Sequence, residues 1–330
     1  MCILFFAYGY HPQYPLILLS NRDEDYDRPT ALFHFWPPTP PPSSPAGSSS
    51  NNNNDESAET EELLLSDEEP DLGEEAEKKG RLLAGKDLLR SGTWLGLTKH
   101  GRFATLTNYR VSFDALRLDK KSRGQLITDF LHTNSAGDEW IEQNLLQDKK
   151  WDDYDGFNLL VSDHIGQNMY YFSNFQGELK TLEKGKIYGL SNHFLDSPWP
   201  KVERGKQLLK QILDQQFTAD GCQEEEEAEE QKDKAKLELD LEALLGVLAD
   251  KTNFPDEELP NTGVGLEWER TLGSIFVQSP DYGTRSSVVV LVDNHGKVSV
   301  TERAKQVDAQ GLTRPDANFV DSHFTFQVRL

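Results

Sequence analysis

"MCILFFAYGYHPQYPLILLSNRDEDYDRP" (1–29) holds two apolar runs, Cys2–Tyr8 and residues 15–20, separated by a turn rich in glycine and proline. Short apolar runs punctuated in this way read as an antiparallel β-hairpin. A hairpin returns the chain, so the end of the second strand lies beside the start of the first. That brings Arg22 and Asp23 close to Cys2. Two readings of Cys2 follow. As a small apolar residue it is simply the first position of a buried strand. If Met1 is removed, however, it carries both a thiol and a free α-amine. That amine has a pKa near about 7.7–8.0 and can accept the thiol proton at neutral pH. An adjacent arginine would favour the thiolate.

The rest of the chain alternates in the same manner. "TWLGLTKHGRFATLTNY" (93–109) reads as a hairpin turning at Lys99-His100-Gly101. A third hairpin spans residues 157–174 and turns at Ile165-Gly166-Gln167. Residues 273–280, 286–303 and 323–328 supply further strands, with a turn at Asn294-His295-Gly296. Helical spacing appears at 122–133, where Leu126, Ile127, Phe130 and Leu131 share a face, at 137–146, and at 197–217 with Ser197 as its N-cap. A further helix is expected within 234–249. Many hairpins with a few grouped helices predict an α+β fold.

The chain has 330 residues and a formal net charge of −22. The charge is concentrated. Residues 37–80 carry −10 and residues 220–236 carry −5, which leaves an ordinary −7 for the remainder. Both segments are poor in core-forming residues and read as disordered acidic insertions within one domain spanning 1–330. No basic stripe suggests a nucleic-acid partner. No apolar run reaches the roughly 18 residues needed to span a bilayer. The start of the chain lacks the basic leader of a signal peptide. The expectation is a cytoplasmic protein with no transmembrane segment. The two cysteines, Cys2 and Cys222, form no disulfide framework. The eight histidines are scattered and no metal-ligand spacing occurs, so neither a metal nor a cofactor is expected. "GRLLAGKD" (80–87) has the glycine and lysine spacing of a phosphate-binding loop, but Asp87 replaces the required hydroxyl residue and no strand precedes it.

Four other residues stand at strand or loop ends with suitable chemistry. Asn108 in "TLTNYR" and Asn192 in "YGLSNHFLDSPWPK" carry amides that can donate to an oxyanion. Asp25 is a second acid near Arg22. Arg285 precedes the apolar run 286–292.

Together, "MCILFF", "LLSNRDEDYDRPT", "SGTWLGLTKHGRFATLTNY", "RGQLITDFL", "DGFNLLVSD", "YGLSNHFLDSPWPK" and "YGTRSSVVVLVD" occur in an order that resembles the NRDE family. The family is named for the Asn-Arg-Asp-Glu tetrad found here at 21–24, and its eukaryotic members are the transport and Golgi organisation 2 proteins. The resemblance covers 1–36, 80–218 and about 237–330, and leaves both acidic segments outside. The family in turn looks like the N-terminal-nucleophile hydrolases, in the cysteine branch that includes choloylglycine hydrolases and penicillin acylases. The resemblance implies a four-layer α-β-β-α sandwich with two antiparallel sheets, and an amidase or acyltransferase activity. It matches Cys2 to the nucleophile, Arg22 to the arginine ending the second strand, Asn192 to the oxyanion asparagine and Arg285 to a late arginine. Asn108 is a further match. The hydrolase branch places its acid at Asp25, whereas the tetrad points to Asp23. The family's associations are with Golgi organisation, protein secretion, lipid and acyl-CoA metabolism and haem movement, in cytosol, Golgi or mitochondria. They imply either acyl chemistry or a non-catalytic carrier of a small acyl or lipid ligand, an acyl-CoA or haem, with peripheral association to Golgi or mitochondria.

Overall fold

A computed structural model describes residues 2–37, 82–115, 117, 119–221 and 239–329. The acidic segments expected at 37–80 and 220–236 lie almost wholly outside these residues.

Strands β1 (Cys2–Tyr8), β2 (Leu16–Asp25), β3 (Thr30–Phe35), β4 (Leu82–Asp87), β5 (Leu95–Thr98), β6 (Phe103–Asn108) and β7 (Phe157–Ser162) occupy the first half of the chain. They are followed by β8 (Tyr170–Ser173), β9 (Glu178–Thr181), β10 (Lys186–Leu190), β11 (Tyr282–Val292), β12 (Lys297–Lys305) and β13 (Phe319–Gln327). They form two sheets, one in the order β10-β1-β2-β11-β12-β13 and the other running β3 to β9 in sequence. Every strand pair is antiparallel. The helices are α1 (Arg123–Leu131), α2 (Gly137–Ile141), α3 (Pro200–Gly221), α4 (Leu241–Leu248) and α5 (Leu266–Thr271).

Strand alternation explains the layering. Successive side chains point to opposite faces. Leu4, Phe6 and Tyr8 of β1 and Leu16 and Leu18 of β2 therefore face the second sheet, where Leu83, Leu95, Phe103 and Tyr171 meet them. Ile3, Phe5, Ile17 and Leu19 face the other way, onto Val202, Leu209 and Leu213 of α3 and Leu244, Leu245 and Leu248 of α4. On the far side, Leu126, Ile127, Phe130 and Leu131 of α1 and Trp140 and Ile141 of α2 cover Leu106, Leu159 and Val161. The order is α-β-β-α. Close approach of α3 depends on Gly205, because a Cβ there would fall 2.0 Å from the Phe5 ring.

Several boundaries differ from expectation. Strand β2 runs past its apolar segment to Asp25, because β1 and β11 pair with it on both sides. The helix expected from Ser197 starts instead at Pro200, and the Ser197 hydroxyl pairs with His193 Nδ1 at 2.6 Å rather than capping it. Helix α4 starts at Leu241, and Asp240 caps it by accepting from the Ala243 N–H at 3.1 Å. Residues 273–280 do not join a sheet ladder beyond a single bridge at Gln278. Their backbone bonds elsewhere: Phe276 N–H donates to Asp250 O at 2.8 Å and Val277 N–H to Thr284 Oγ1 at 2.9 Å. "LLAGKD" is β4, and Lys86 lies over the Trp36 ring at 4.8 Å.

Candidate active site

The β1–β2 register sets Cys2 directly across from Arg22. Cys2 belongs to the face that carries Leu4 and Phe6, and Arg22 to the face that carries Leu16 and Leu18. Both therefore lie on the side of the sheet that meets its partner sheet. At this end of the sandwich the sheets part into a cleft of about 320 Å³. Cys2, Arg22, Asp23, Glu24, Trp94, Asn108 and Arg123 are among its lining residues.

Alternation divides the tetrad. Asn21 points toward the helices. Its Nδ2 donates to Leu248 O at 2.8 Å and to Ile275 O at 3.0 Å, and its Oδ1 accepts from Ser287 Oγ at 2.7 Å. Asp23, on the same face, accepts from Thr284 Oγ1 at 2.6 Å. Arg22 and Glu24 share the opposite face with Cys2. The Arg22 guanidinium lies 4.2 Å over the Trp94 ring, and its Nη2 is 3.6 Å from Glu24 Oε2. Arg28 Nε also approaches Glu24 Oε2, at 3.6 Å. Burial pushes the Glu24 carboxyl up, but Arg22, the amino terminus and Arg28 outweigh it and leave Glu24 below the usual carboxylate range.

Cys2 is 8% exposed, and burial pushes its thiol up, with Asp23 and Glu24 adding to that rise against the amino terminus and Arg22. Burial also pushes Asp23 up. Close to Asp23 and Cys2, on the helix side, is Lys201 in the first turn of α3. Burial and then Arg110 lower the Lys201 pKa to about 7, and its Nζ donates to Leu272 O at 2.8 Å.

Strand β10 delivers Asn192. It pairs with β1 as far as Leu4 and Leu190, and Asn192 follows two residues beyond that last pair. Ser191 Oγ donates to Cys2 O at 3.4 Å. The turn 191–193 is held carbonyl by carbonyl: Thr107 Oγ1 donates to Ser191 O at 2.6 Å, Arg110 N–H to Asn192 O at 2.7 Å and Asn158 Nδ2 to His193 O at 2.8 Å. Asn192 Nδ2 donates to Asn108 O at 2.9 Å, which joins the two asparagines.

The structure thus brings Cys2, Arg22, Asp23, Asn108 and Asn192 together, although Asn192 is fully buried and is not itself a lining residue. Asp25 stands apart, exposed at the end of β2. Arg285 is also outside the cleft. Its guanidinium donates to the carbonyls of Asp25 at 2.9 Å, Gly311 at 3.0 Å and Arg28, so it staples the turn after β2 to the segment at Gly311. Sequence reasoning missed Glu24, Trp94, Arg110 and Lys201. Glu24 could have been found by counting strand alternation on from Arg22. The other three reach the site from the residue just before β5, the β6–α1 connection and α3, and nothing local marks them.

Among the described residues, no group of three or more His, Cys, Asp or Glu side chains could hold a metal. No helix among them is long and apolar enough to cross a membrane.

Two solved structures match the chain at low similarity. One is a Caenorhabditis elegans N-acylethanolamine-hydrolyzing acid amidase ortholog, at 11% identity and TM-score 0.39, covering 88% of this chain and 92% of that one. The other is a C2A mutant of conjugated bile acid hydrolase from Clostridium perfringens, at 10% identity and TM-score 0.36, covering 100% and 97%. Sequence relatives are nearer. The chain is 31% identical to the Bos taurus transport and Golgi organization protein 2 homolog over 92% of this chain and 93% of the relative. It is 30% identical to the Homo sapiens homolog over the same shares, and 28% identical to the Drosophila melanogaster protein over 92% and 91%. The family model described as Transport and Golgi organisation 2 matches residues 1–48 and 72–306, and with these relatives it establishes that the chain belongs to the Transport and Golgi organisation 2 family.

Proposed function

We propose that the chain is an acyl-transferring protein of the cysteine N-terminal-nucleophile type, an amidase or acyltransferase, serving the family's role in Golgi organisation and protein secretion. The observation that carries this reading is the pairing of Cys2 with Arg22 at the floor of a polar cleft. Removal of Met1 frees the α-amine of Cys2. The thiol sulfur attacks the acyl carbon while that amine takes the thiol proton. Asn192 donates to the oxyanion that forms, and Arg22, held by Trp94 and Glu24, supplies positive charge beside the sulfur. The leaving amine departs with the proton. Water or another acceptor then releases the acyl group and regenerates the thiol. On this reading Asp23, buried on the neighbouring strand, holds the α-amine, and the exposure of Asp25 speaks against its taking that task. The test is peptide mass spectrometry of the N-terminus after brief exposure to a thiol-directed acyl probe. The reading expects Met1 to be absent and Cys2 to be acylated faster than Cys222. Retention of Met1, or an inert Cys2, would overturn it.

A second reading has its own support. Burial raises the Cys2 thiol, which disfavours the thiolate. Seven cationic residues line the cleft against four acidic ones, which suits an anionic ligand held without reaction. On this reading the protein is a carrier of a lipid, an acyl-CoA or haem, peripherally associated with Golgi or mitochondria. Titration of Cys2→Ala with a long-chain acyl-CoA, anionic phospholipid or haem tests it. Binding equal to that of the unsubstituted chain supports the carrier, and no binding of any of the three rules it out.

A further inference from the structure

A buried ion pair behind the cleft reaches the site through Asn192. Arg110 Nη1 and Glu269 Oε2 are 2.8 Å apart, and the two side chains are 2% and 3% exposed. Burying such a pair is costly unless its other atoms are satisfied. Here they are satisfied except at Arg110 Nε, which is buried without a hydrogen-bond partner. Glu269 Oε1 accepts from both the N–H and the Oγ1 of Thr262 at 2.7 Å each, and the Arg110 guanidinium lies 4.9 Å over the Trp199 ring. Neither residue lines the cleft. The remaining arm of Arg110 points to Asn192: Nη2 is 3.5 Å from Asn192 Oδ1, while the Arg110 main chain holds Asn192 O.

A side-chain amide has two orientations that differ by exchange of its oxygen and nitrogen. Arginine offers only donors, so it accepts only the orientation with Oδ1 toward it. The carbonyl of Asn108 requires the complementary nitrogen. The charge on one side and the acceptor on the other therefore select the same flip. Ser191 Oγ also donates to Asn192 Oδ1, at 3.3 Å, and in that flip the Asn192 nitrogen, which bears both donor hydrogens, stays on the side of Asn108, a residue that lines the cleft. We propose that the Arg110–Glu269 pair is a positioning device that fixes the Asn192 amide as an oxyanion donor. This rests on the acyl-transfer reading given above. Glu269 keeps Arg110 charged and in place, and Arg110 sets the amide; neither touches the substrate.

The test compares two reactions at one thiol, in a Cys222→Ser background with Met1 removed. With p-nitrophenyl acetate, the Cys2 sulfur attacks the carbonyl carbon, an oxyanion forms, and the C–O bond breaks to release p-nitrophenolate. The thiol proton passes to the α-amine. With iodoacetamide the sulfur displaces iodide and no oxyanion forms. Breaking half of a buried pair can unfold a protein, so the main variant is Arg110→Met with Glu269→Leu, which removes both charges together. Glu269→Gln is the milder companion. We expect acylation to fall roughly tenfold or more in the double variant, short of the roughly 10²–10³ that loss of a donor itself costs. Alkylation should stay within about twofold, because that step develops no oxyanion. Equal loss in both reactions would reduce the pair to a structural role and overturn the proposal. Nuclear magnetic resonance of the Asn192 side-chain amide gives a readout independent of turnover. Its two proton signals should shift and broaden in the double variant. Unchanged signals would also overturn the proposal. If these signals move while the unsubstituted chain is alkylated but never acylated, the positioning stands and the acyl-transfer reading alone fails.

Discussion

Cys2 and Arg22 face each other across the β1–β2 ladder, and the Arg22 guanidinium lies over the Trp94 ring at 4.2 Å. A planar guanidinium over an indole is a stronger and more directional contact than an ammonium can make. The orientation of the charge beside Cys2 is thus set by a residue that immediately precedes β5 of the opposite sheet.

Arg22→Lys should therefore do more than conserve charge. The ammonium cannot stack on Trp94 and reach Glu24 together. We expect about 1–2 kcal/mol of lost stability in urea denaturation. Cys2 alkylation at pH 7 should slow severalfold. A variant with unchanged alkylation would show that Arg22 does not influence the thiol.

Asn21→Ala removes a side chain that satisfies Leu248 O and Ile275 O and accepts from Ser287 Oγ. All of these are buried, and a buried partner left unsatisfied costs about 1–3 kcal/mol each. A total near 3 kcal/mol is expected from chemical denaturation, with the α4 amides losing hydrogen-exchange protection first. A loss below about 1 kcal/mol would mean the helix is held by its apolar face alone.

Gly205→Ala sets two effects against each other. Alanine in a helix is favoured by about 1 kcal/mol over glycine. The added Cβ would meet the Phe5 ring at 2.0 Å, and overpacking of this kind costs about 1–3 kcal/mol. The clash should win, and the melting temperature should fall. A rise would show that α3 can slide off Phe5.

Glu302 offers a pH signature. It is buried between the sheets, and burial raises its pKa to about 7 even though Oε2 accepts from the Phe33 N–H at 2.7 Å. The folded state then binds a proton that the unfolded state has already released near pH 4.3. Stability should fall as pH rises from about 4.5 to 7, by about 3 kcal/mol for this group, and level off above. Glu302→Gln keeps an acceptor for Phe33 and has no proton to lose. Its stability profile should be flatter over that window, and parallel profiles would remove Glu302 as the cause.

The hairpins were legible because apolar runs bounded by glycine and proline leave little choice of structure. Cys2, Arg22 and Asp23 could be placed together from that alone. Strands β3 and β4 were not legible, since β4 sits beside the acidic segment and contains Gly85. The structural reason for that glycine is Trp94, whose ring would be 2.3 Å from a Cβ at this position. Residues 273–280 have the composition of a strand, yet they serve as a loop whose Ile275 carbonyl receives Asn21. The roles of Arg110, Lys201 and Glu269 depend on contacts between distant segments, and no local pattern announces them. Arg285 shows the reverse case: a suitable residue in a suitable motif, whose terminal nitrogens donate to three main-chain carbonyls.

Strands β3 and β4 are paired up to Phe35 and Leu83, and Trp36 N–H still reaches Leu82 O at 2.8 Å. The chain leaves and re-enters the sheet at adjacent points, about 5 Å apart, a gap that two residues can close. This makes the junction a natural socket. A fluorescent or affinity module seated there would be gripped at both ends, and it would leave position 2 free of any fusion, which a label on the amino terminus cannot do.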